Sequence, residues 1–134
     1  DLQRSEGEYG PEFTYQTLKF RKHIYGGALT ENIILQSLVA NFRVLPRYWT
    51  SNGTAEVDFL LQEGLNVIPI EVKASVNTSG KSLSVYAKHF SPPLSIIFSM
   101  QNLRYEKGVL HVPLFLSDWT PQLLSMISKI SSNE

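Results

Sequence analysis

The chain of 134 residues contains no cysteine. This absence excludes a disulfide scaffold and a thiolate zinc site, so any bound metal has to be held by oxygen ligands or by the three histidines. The spacing of His23, His89 and His111 is not that of a zinc site, and we expect these side chains at the surface or packed on a strand. A chain without cysteine also suits the reducing cytoplasm, where we expect this protein.

The sequence also lacks long apolar runs and an excess of either charge. No window approaches the roughly 18 apolar residues of a membrane helix, and no secretory signal opens the chain, so we expect no membrane association. Twelve basic and twelve acidic residues give a formal net charge of zero, whereas proteins that bind nucleic acid on their own are usually basic. Local cations would have to provide any such contact, and Arg43, Arg47 and Lys81 are our candidates beside the alternative of a solvated charged face.

Length and hydrophobic content predict one globular domain behind a polar lead-in. The hydrophobic fraction of 43% is typical of a chain with a packed core. Residues 1–26 are polar and rich in turn formers, and we expect a lead-in or the remnant of a preceding domain there. Residues 27–134 form the expected domain. Because position 1 is not methionine, we expect a fragment or a processed piece of a longer protein.

Periodicity predicts alternating helices and strands, and hence an α/β fold. A helix is expected over 28–41, a three-stranded antiparallel meander over 45–74, a helix over Lys81–Phe90, a buried parallel strand over 94–100, a strand over 109–116 and a terminal helix that opens at Asp118 or Thr120. The apolar positions expected to face the core are Leu29, Ile33, Ile34, Leu35, Leu38 and Val39 in the first helix, Leu83, Tyr86, Ala87 and Phe90 in the second, and Leu123, Ile127 and Ile130 in the last.

The second and third strands read as a tight β-hairpin around a Gly64-Leu65 turn. In that register Asp58 lies directly opposite Glu71, with the two α-carbons about 4.5 Å apart in a pair that exchanges no hydrogen bonds. Pro69 falls in a pair of the same type, which suits a residue without an N–H. Two ionised carboxylates this close repel each other unless a positive charge lies between them.

Acids and a lysine therefore converge at one end of this hairpin. Alternation along the strand places Glu71 and Lys73 on one face and the apolar residues on the other. Asp58, Glu71 and the main-chain carbonyl of Val72 are oxygen ligands of the kind that Mg²⁺ prefers, and Lys73 is placed to polarise a water or to neutralise a phosphate. The alternative is a polar sheet face with an ordinary cross-strand Glu–Lys pair.

One more acid lies on the first predicted helix. Glu31 shares a flank with Ile34, Leu35 and Leu38, so its carboxylate is expected beside the buried stripe, where it requires a partner. The alternative is an acid in the first helical turn that complements the helix dipole.

The order α, β, β, β, α, β, followed by a further strand and helix, with acids on the first helix and on the second and third strands, resembles the PD-(D/E)XK nuclease superfamily. Within that superfamily, the stretch from Gly27 to about Pro113 looks like the domain of unknown function that follows an AAA-type ATPase in many bacterial and archaeal proteins. The resembling segments are Gly27-Ala28-Leu29-Thr30-Glu31-Asn32, Tyr48-Trp49-Thr50-Ser51, Ala55-Glu56-Val57-Asp58-Phe59-Leu60, Ile68-Pro69-Ile70-Glu71-Val72-Lys73 and Lys81-Ser82-Leu83.

The resemblance implies a restriction-endonuclease-like mixed β-sheet with an αβββαβ core and flanking helices. It also implies that Asp58 and Glu71 bind Mg²⁺ or Mn²⁺, that Lys73 is the catalytic lysine, and that Glu31 is an accessory acid that reaches the metal through water. The implied substrate is nucleic acid, DNA rather than RNA. Two positions depart from the pattern: Val57 replaces the proline of the founding motif, and Ser37 stands where the family often has a second helix acid.

The same resemblance implies an AAA-type ATPase domain as the N-terminal partner within a longer chain. No glycine-rich loop of the Walker type occurs in these 134 residues, so ATP chemistry would belong to that other domain. Two functions follow as hypotheses: a metal-dependent nuclease domain, or a catalytically silent module of the same fold that binds nucleic acid or a partner and assembles with the ATPase. Homo-oligomerisation is open in either case.

Overall fold

The structure, a computed structural model, describes residues 25–43, 46–53, 55–74 and 80–133. Most of the expected lead-in, up to residue 24, lies outside the described residues together with His23. The first helix begins at Tyr25. The elements in chain order are α1 (Tyr25–Phe42), β1 (Arg47–Thr50), β2 (Glu56–Glu63), β3 (Asn66–Val72), α2 (Lys81–Phe90), β4 (Ser95–Ser99), β5 (Arg104–Glu106), β6 (Val109–Pro113), a 3₁₀ helix (Leu114–Trp119) and α3 (Thr120–Ser132).

The strands form one mixed sheet in the order β1-β2-β3-β4-β6-β5. β1, β2 and β3 are antiparallel neighbours, whereas β3, β4 and β6 run parallel and β5 closes the edge antiparallel to β6. The expected α/β class and the αβββαβ succession are confirmed. No helix within the described ranges is long and apolar enough to cross a membrane.

The short strand β5 is the strand of the described sheet that the sequence did not predict. It pairs with β6 through a turn at Lys107 and Gly108, which have φ values of 50° and 77°. Two successive positive φ values are typical of the tight hairpin turns that match strand twist. Lys-Gly is a weaker turn signal than Asn-Gly, and three exposed residues show no apolar alternation.

Both faces of the sheet carry hydrophobic cores. On one face, two rows across β3, β4 and β6 pack against α1 and α3: Ile70, Ile96 and Leu110 form the first row, and Val72, Phe98 and Val112 the second. The opposite face carries a cluster with α2 that comprises Trp49, Val57, Leu60, Leu83, Tyr86 and Ile97. Burying one side chain of this kind stabilises the fold by about 1.5–3 kcal/mol. Residues of one strand therefore alternate between the two cores.

The helices lie where the sequence predicted them, but several residues predicted to face the core are exposed. In α1, Ile34, Leu35 and Leu38 are buried as expected, but Leu29 and Ile33 are 63% and 55% exposed and Val39 is 38% exposed. Successive helical residues point about 100° apart, so one sheet cannot bury three consecutive apolar residues equally. Two further expectations are wrong: Phe90 and Ile130 are exposed, and in α3 the buried residues are Thr120 and Leu124. The last predicted strand ends at Pro113, where the 3₁₀ helix begins.

His111 is a buried polar side chain on β6, which agrees with the expectation of a strand-packed histidine. Its Nε2 lies 3.4 Å from the Arg104 guanidinium on β5. Burial lowers the pKa of His111 from its usual value of 6.5, and the positive charge of Arg104 lowers this pKa further, while Glu106 opposes both effects. The folded protein therefore holds this imidazole neutral. The exposed His89, in contrast, contacts the rings of Trp49 and Phe90.

We expect His111 to make the fold sensitive to acid. Below pH 6.5, the unfolded chain gains a proton at this position that the folded chain does not bind, because the folded pKa is lowered. The free energy of unfolding should therefore fall as the pH drops from 7.5 to 5.5, and fall less in the His111→Gln variant, which does not titrate. Urea denaturation at the two pH values measures this difference. An equal loss in both proteins would show that His111 does not contribute.

Candidate functional site

The β2–β3 hairpin has the predicted register. Five pairs run from Phe59↔Ile70 to Glu63↔Asn66, and Pro69 lies opposite Leu60 as expected. Gly64 has a φ of 62°, which a glycine adopts without strain at this turn. The regular ladder ends after Phe59↔Ile70. Asp58 and Glu71 are the next residues on the two strands, so they stand where the hairpin opens.

A β-bulge in β2 explains why the ladder ends there. Arg47 of β1 pairs with Leu60, but Trp49, two residues on, pairs with Val57, three residues back. β2 therefore contains one extra residue between these pairs, and Asp58 lies within this bulge. Val57 and Leu60 both pack on the α2 face, which strict alternation would not allow. Bulges are frequent next to functional sites because they redirect a side chain.

The bulge turns the Asp58 carboxylate toward β3. Its Oδ2 accepts a hydrogen bond of 2.8 Å from the main-chain N–H of Val72. The carboxylate thus takes the N–H that a continued ladder would have paired with the backbone of β2. Asp58 is only 5% exposed, so this charged acceptor is held firmly in place. The interaction brings a β2 acid to the middle residue of Glu71-Val72-Lys73.

Glu71 on β3 and Lys73, the first residue after β3, lie on the same face, as predicted. Lys73 Nζ is 3.2 Å from Glu71 Oε1, with side-chain exposures of 28% and 5%. Both the proposed catalytic pair and an ordinary Glu–Lys pair would show this contact, but surface pairs are not usually this buried. Glu71 has further interactions, although its buried Oε2 accepts no hydrogen bond. The pair is therefore a partly buried ion pair with one carboxylate oxygen still able to accept.

Glu31 is buried on α1, with 2% of its surface exposed, on the flank predicted from Ile34, Leu35 and Leu38. The alternative of an acid in the first helical turn is wrong, because α1 begins six residues earlier, at Tyr25. Glu31 makes other interactions, and its Oε2 is buried without a hydrogen bond. In the part of the chain that the structure describes, no three histidine, cysteine, aspartate or glutamate side chains form a group that could hold a metal ion. Glu31 therefore does not form a third direct ligand beside Asp58 and Glu71.

The oxygen atoms at this end of the hairpin fit a hard divalent cation. Within an extended strand, the N–H and C=O of one residue point to the same neighbouring strand. Val72 N–H reaches Asp58, whereas the next N–H, that of Lys73, bonds to Phe98 O of β4 at 2.8 Å. The Val72 carbonyl is therefore directed toward β2, the side of Asp58. Two carboxylates and this carbonyl are the donor types that Mg²⁺ and Mn²⁺ prefer.

The three cations predicted to contact nucleic acid lie on three different elements. Arg43 follows α1 and has a φ of 56°, with its N–H bonded to Val39 O at 2.8 Å. Arg47 begins β1 and is half-buried, and Lys81 begins α2 and is exposed. Beside Lys81, Ser82 Oγ accepts a hydrogen bond from Glu56 N at 3.4 Å, two residues before Asp58. Arg47 pairs with Leu60, at one end of the Asp58 bulge. Lys81 is the neighbour of Ser82, which contacts the strand just before the bulge. Arg43 has no such link among the described contacts.

Ser37, which replaces the expected second helix acid, has a structural contact instead. Its Oγ donates to Asp118 Oδ1 at 2.6 Å, and Asn41 Nδ2 donates to the same oxygen at 3.1 Å. These bonds join α1 to the 3₁₀ helix. Asp118 therefore does not begin α3, which starts at Thr120 with Pro121 in its first turn. The alternative start that the sequence left open is settled in favour of Thr120.

Sequence reasoning missed the contact between His111 and Arg104. Arg104 Nη1 also donates to Gln101 Oε1 at 2.7 Å, and Nε lies 3.7 Å from Glu106 Oε2. These residues come together because β5 pairs with β6, and β5 was not predicted. The Lys107-Gly108 dipeptide is the signal that could have revealed this hairpin.

Comparison with known proteins identifies a family for this chain. Residues 26–116, from α1 into the 3₁₀ helix, match a family model described as "Domain of unknown function (DUF4143)". No curated protein and no solved structure matches the chain. The matched range covers more than half of the sequence and includes Glu31, Asp58, Glu71 and Lys73. The chain therefore belongs to the DUF4143 family of domains of unknown function.

Proposed function

We propose that this domain hydrolyses phosphodiester bonds of nucleic acid, DNA rather than RNA, with Mg²⁺ or Mn²⁺ as cofactor. The observation that carries the proposal is the hydrogen bond between the Asp58 carboxylate and Val72 N–H, since it fixes one buried acid beside the strand that bears Glu71 and Lys73. The αβββαβ succession supports the finer assignment to the PD-(D/E)XK nucleases with their restriction-endonuclease-like fold. We propose the cytoplasm as its compartment and an ATPase domain of a longer chain as its partner.

Asp58, Glu71 and the Val72 carbonyl would hold the cation. The Val72 N–H holds the Asp58 carboxylate through Oδ2, and Lys73 holds the Glu71 carboxylate through Oε1, while the buried Glu71 Oε2 accepts no hydrogen bond. A bound divalent cation supplies charge neutralisation at the phosphate and lowers the pKa of a water. Because both carboxylates are buried, bulk water competes weakly for these oxygens.

Lys73 would act on the substrate side of the site. Its Nζ is held 3.2 Å from Glu71 Oε1 and still has 28% of its side chain exposed. An ammonium in this position can donate to an attacking water and offset negative charge that develops on the phosphate. The ion pair limits the rotamers of Lys73, so less entropy is lost when it engages the substrate. Glu31 would be the accessory acid, acting through a water.

The catalytically silent module remains the second candidate, and two observations favour it. The formal net charge is zero, and the described residues contain no three-residue metal-type cluster. In that case the buried acids would serve assembly with the ATPase or recognition of a partner. The two functions differ in whether the chain binds a divalent cation and turns substrate over.

Replacement of Glu71 tests the metal site. Glu71→Gln keeps the size of the side chain but removes the negative charge, so we expect loss of Mg²⁺ and Mn²⁺ binding by calorimetry and a fall in DNA cleavage of about 100-fold or more. The matched control is Glu63→Gln, because Glu63 is exposed at the turn end of the same hairpin and should leave both readouts unchanged. Thermal melting of both variants checks that the fold persists.

Other results would contradict the proposed metal site or the proposed hydrolysis. Unchanged cleavage in Glu71→Gln would rule out the proposed site. Absence of metal binding in the unmodified chain, with no cleavage of single-stranded or duplex DNA, would favour the silent module. A parallel Asp58→Ala variant, which loses the second carboxylate, should reproduce the loss of metal binding if the two acids share one cation.

Replacement of Lys73 separates metal binding from chemistry. Lys73→Gln removes a positive charge next to the ligands, so metal affinity should stay within about threefold or increase, while cleavage falls by about 100-fold. The control Lys88→Gln removes an exposed charge from α2. Single-turnover cleavage at saturating Mg²⁺, beside calorimetric titration, measures both quantities. Normal cleavage in Lys73→Gln would remove this lysine from the mechanism.

A further inference from the structure

Strand register places three polar residues and one isoleucine in a single row across the sheet. The rows of Ile70 and Val72 point into the core under α1 and α3. Glu71 lies between them and therefore points to the opposite face, as does its neighbour Ile97, which packs in the α2 cluster. The register continues from Ile97 to His111 on β6 and from His111 to Arg104 on β5. Glu71, Ile97, His111 and Arg104 thus form one row on the face that carries Lys73.

This row links the candidate site to a second cation. Neighbouring strands lie about 4.8 Å apart, so three steps from Glu71 to Arg104 span about 14 Å. α2 packs through Leu83 and Tyr86 over the β2 side of this face, in a cluster that also includes Ile97 of β4. The Arg104 side chain keeps 46% of its surface exposed. A charged guanidinium is therefore accessible at the end of a row that begins at Glu71.

The contacts of Arg104 hold the guanidinium in one orientation. Nη2 lies 3.4 Å from His111 Nε2, and Nη1 donates to Gln101 Oε1 at 2.7 Å. Since arginine only donates hydrogen bonds, Nε2 has to be the acceptor, and the proton of the neutral imidazole then lies on Nδ1. Glu106 is 3.7 Å away but 60% exposed, so this pair neutralises the guanidinium only weakly.

Burial of the His111 imidazole lowers the stability of the fold. It is only 8% exposed, and its Nδ1 is buried without a hydrogen-bond partner in the described structure. A buried donor of this kind costs about 1–3 kcal/mol. An aliphatic side chain would fill this position of β6 without that cost. A histidine at this destabilising position is explained if it orients Arg104 toward a ligand on this face.

We propose that Arg104, oriented by His111, binds a backbone phosphate of the nucleic-acid strand whose scissile phosphodiester lies at Glu71 and Lys73. This inference rests on the proposed function. The strand then extends from β3 toward β5 on the face shared with α2, past the cluster in which Ile97 of β4 is buried. For a duplex whose axis follows this row, with a rise of about 3.4 Å per nucleotide, a span of 14 Å corresponds to about four nucleotides. The substrate class is therefore a polynucleotide that extends several nucleotides beyond the cleaved bond, rather than a dinucleotide or a mononucleotide ester.

The experiment measures binding without turnover. A fluorescein-labelled 20-nucleotide single-stranded DNA, its duplex and an RNA of the same sequence are titrated by anisotropy with Ca²⁺ in place of Mg²⁺, at several salt concentrations, and a gel verifies that the probes stay intact. For Arg104→Gln we expect affinity for the bound probe to fall about fivefold and the slope of log K against log salt to decrease in size by about one. Arg104→Lys keeps the charge and should restore most of the slope.

Lys129→Gln is the matched control. Lys129 is exposed on α3, which packs on the opposite face of the sheet, so the same loss of charge should change affinity less than twofold. His111→Gln retains an acceptor for Arg104, whereas His111→Phe does not; affinity should fall in His111→Phe and be largely kept in His111→Gln. Thermal melting reports how far each change weakens the β5–β6 hairpin.

Three results would overturn the inference: no binding of any probe by the unmodified chain, equal effects of Arg104→Gln and Lys129→Gln, or weaker binding in Arg104→Gln with an unchanged salt slope. The last result would mean that Arg104 only stabilises the hairpin. If one of these results is obtained while Glu71→Gln still abolishes cleavage, the proposed function stands without the phosphate contact of Arg104. If Arg104 governs the salt slope but Glu71→Gln changes neither metal binding nor cleavage, the phosphate contact stands and the catalytic site falls.

Discussion

The hydrogen bond from Val72 N–H to the Asp58 carboxylate is the interaction on which the arrangement of the site depends. A buried N–H at the end of a ladder requires an acceptor, and at the bulge in β2 a side chain provides it in place of the backbone. Because the acceptor is a carboxylate, the same bond that completes the sheet also places a negative charge beside Glu71 and Lys73. An uncharged acceptor would complete the ladder equally well, but it would leave β3 with only one acid at this point.

The rest of the site follows from the alternation of β3. Val72 packs with Phe98 and Val112 in one core, so its neighbours Glu71 and Lys73 have to point to the other face. That face is apolar where α2 covers it, which includes Ile97 of β4, and it carries the polar residues Glu71, His111 and Arg104 in the same row as Ile97. A change in the packing of Val72 would therefore move both site residues, because the core fixes the strand on which they stand.

The sequence predicted those features of the site that are local. The Gly64-Leu65 turn determined the register of the hairpin, and the positions of Glu71 and Lys73 then followed from the two-residue period of a strand. The bulge at Asp58 could not be predicted, because it depends on the pairing of β2 with β1. The row through His111 to Arg104 depends on strand β5, which has no apolar alternation. In α1 the period indicated a helix, but three consecutive apolar residues did not show which of them faces the sheet.

Burial of acids connects the stability of this domain with its proposed chemistry. Glu31, Asp58 and Glu71 are each at most 5% exposed, and buried carboxylates are expensive for a fold unless charge or hydrogen bonds compensate them. Lys73 offsets part of this cost for Glu71, and Val72 N–H does so for Asp58. A divalent cation between the two hairpin acids would offset more, since it adds two positive charges where bulk water is excluded. Asp58 and Glu71, whose burial lowers the stability of the fold, are therefore the residues best prepared to bind that cation. Apolar replacements would increase the stability of the fold only by removing the site.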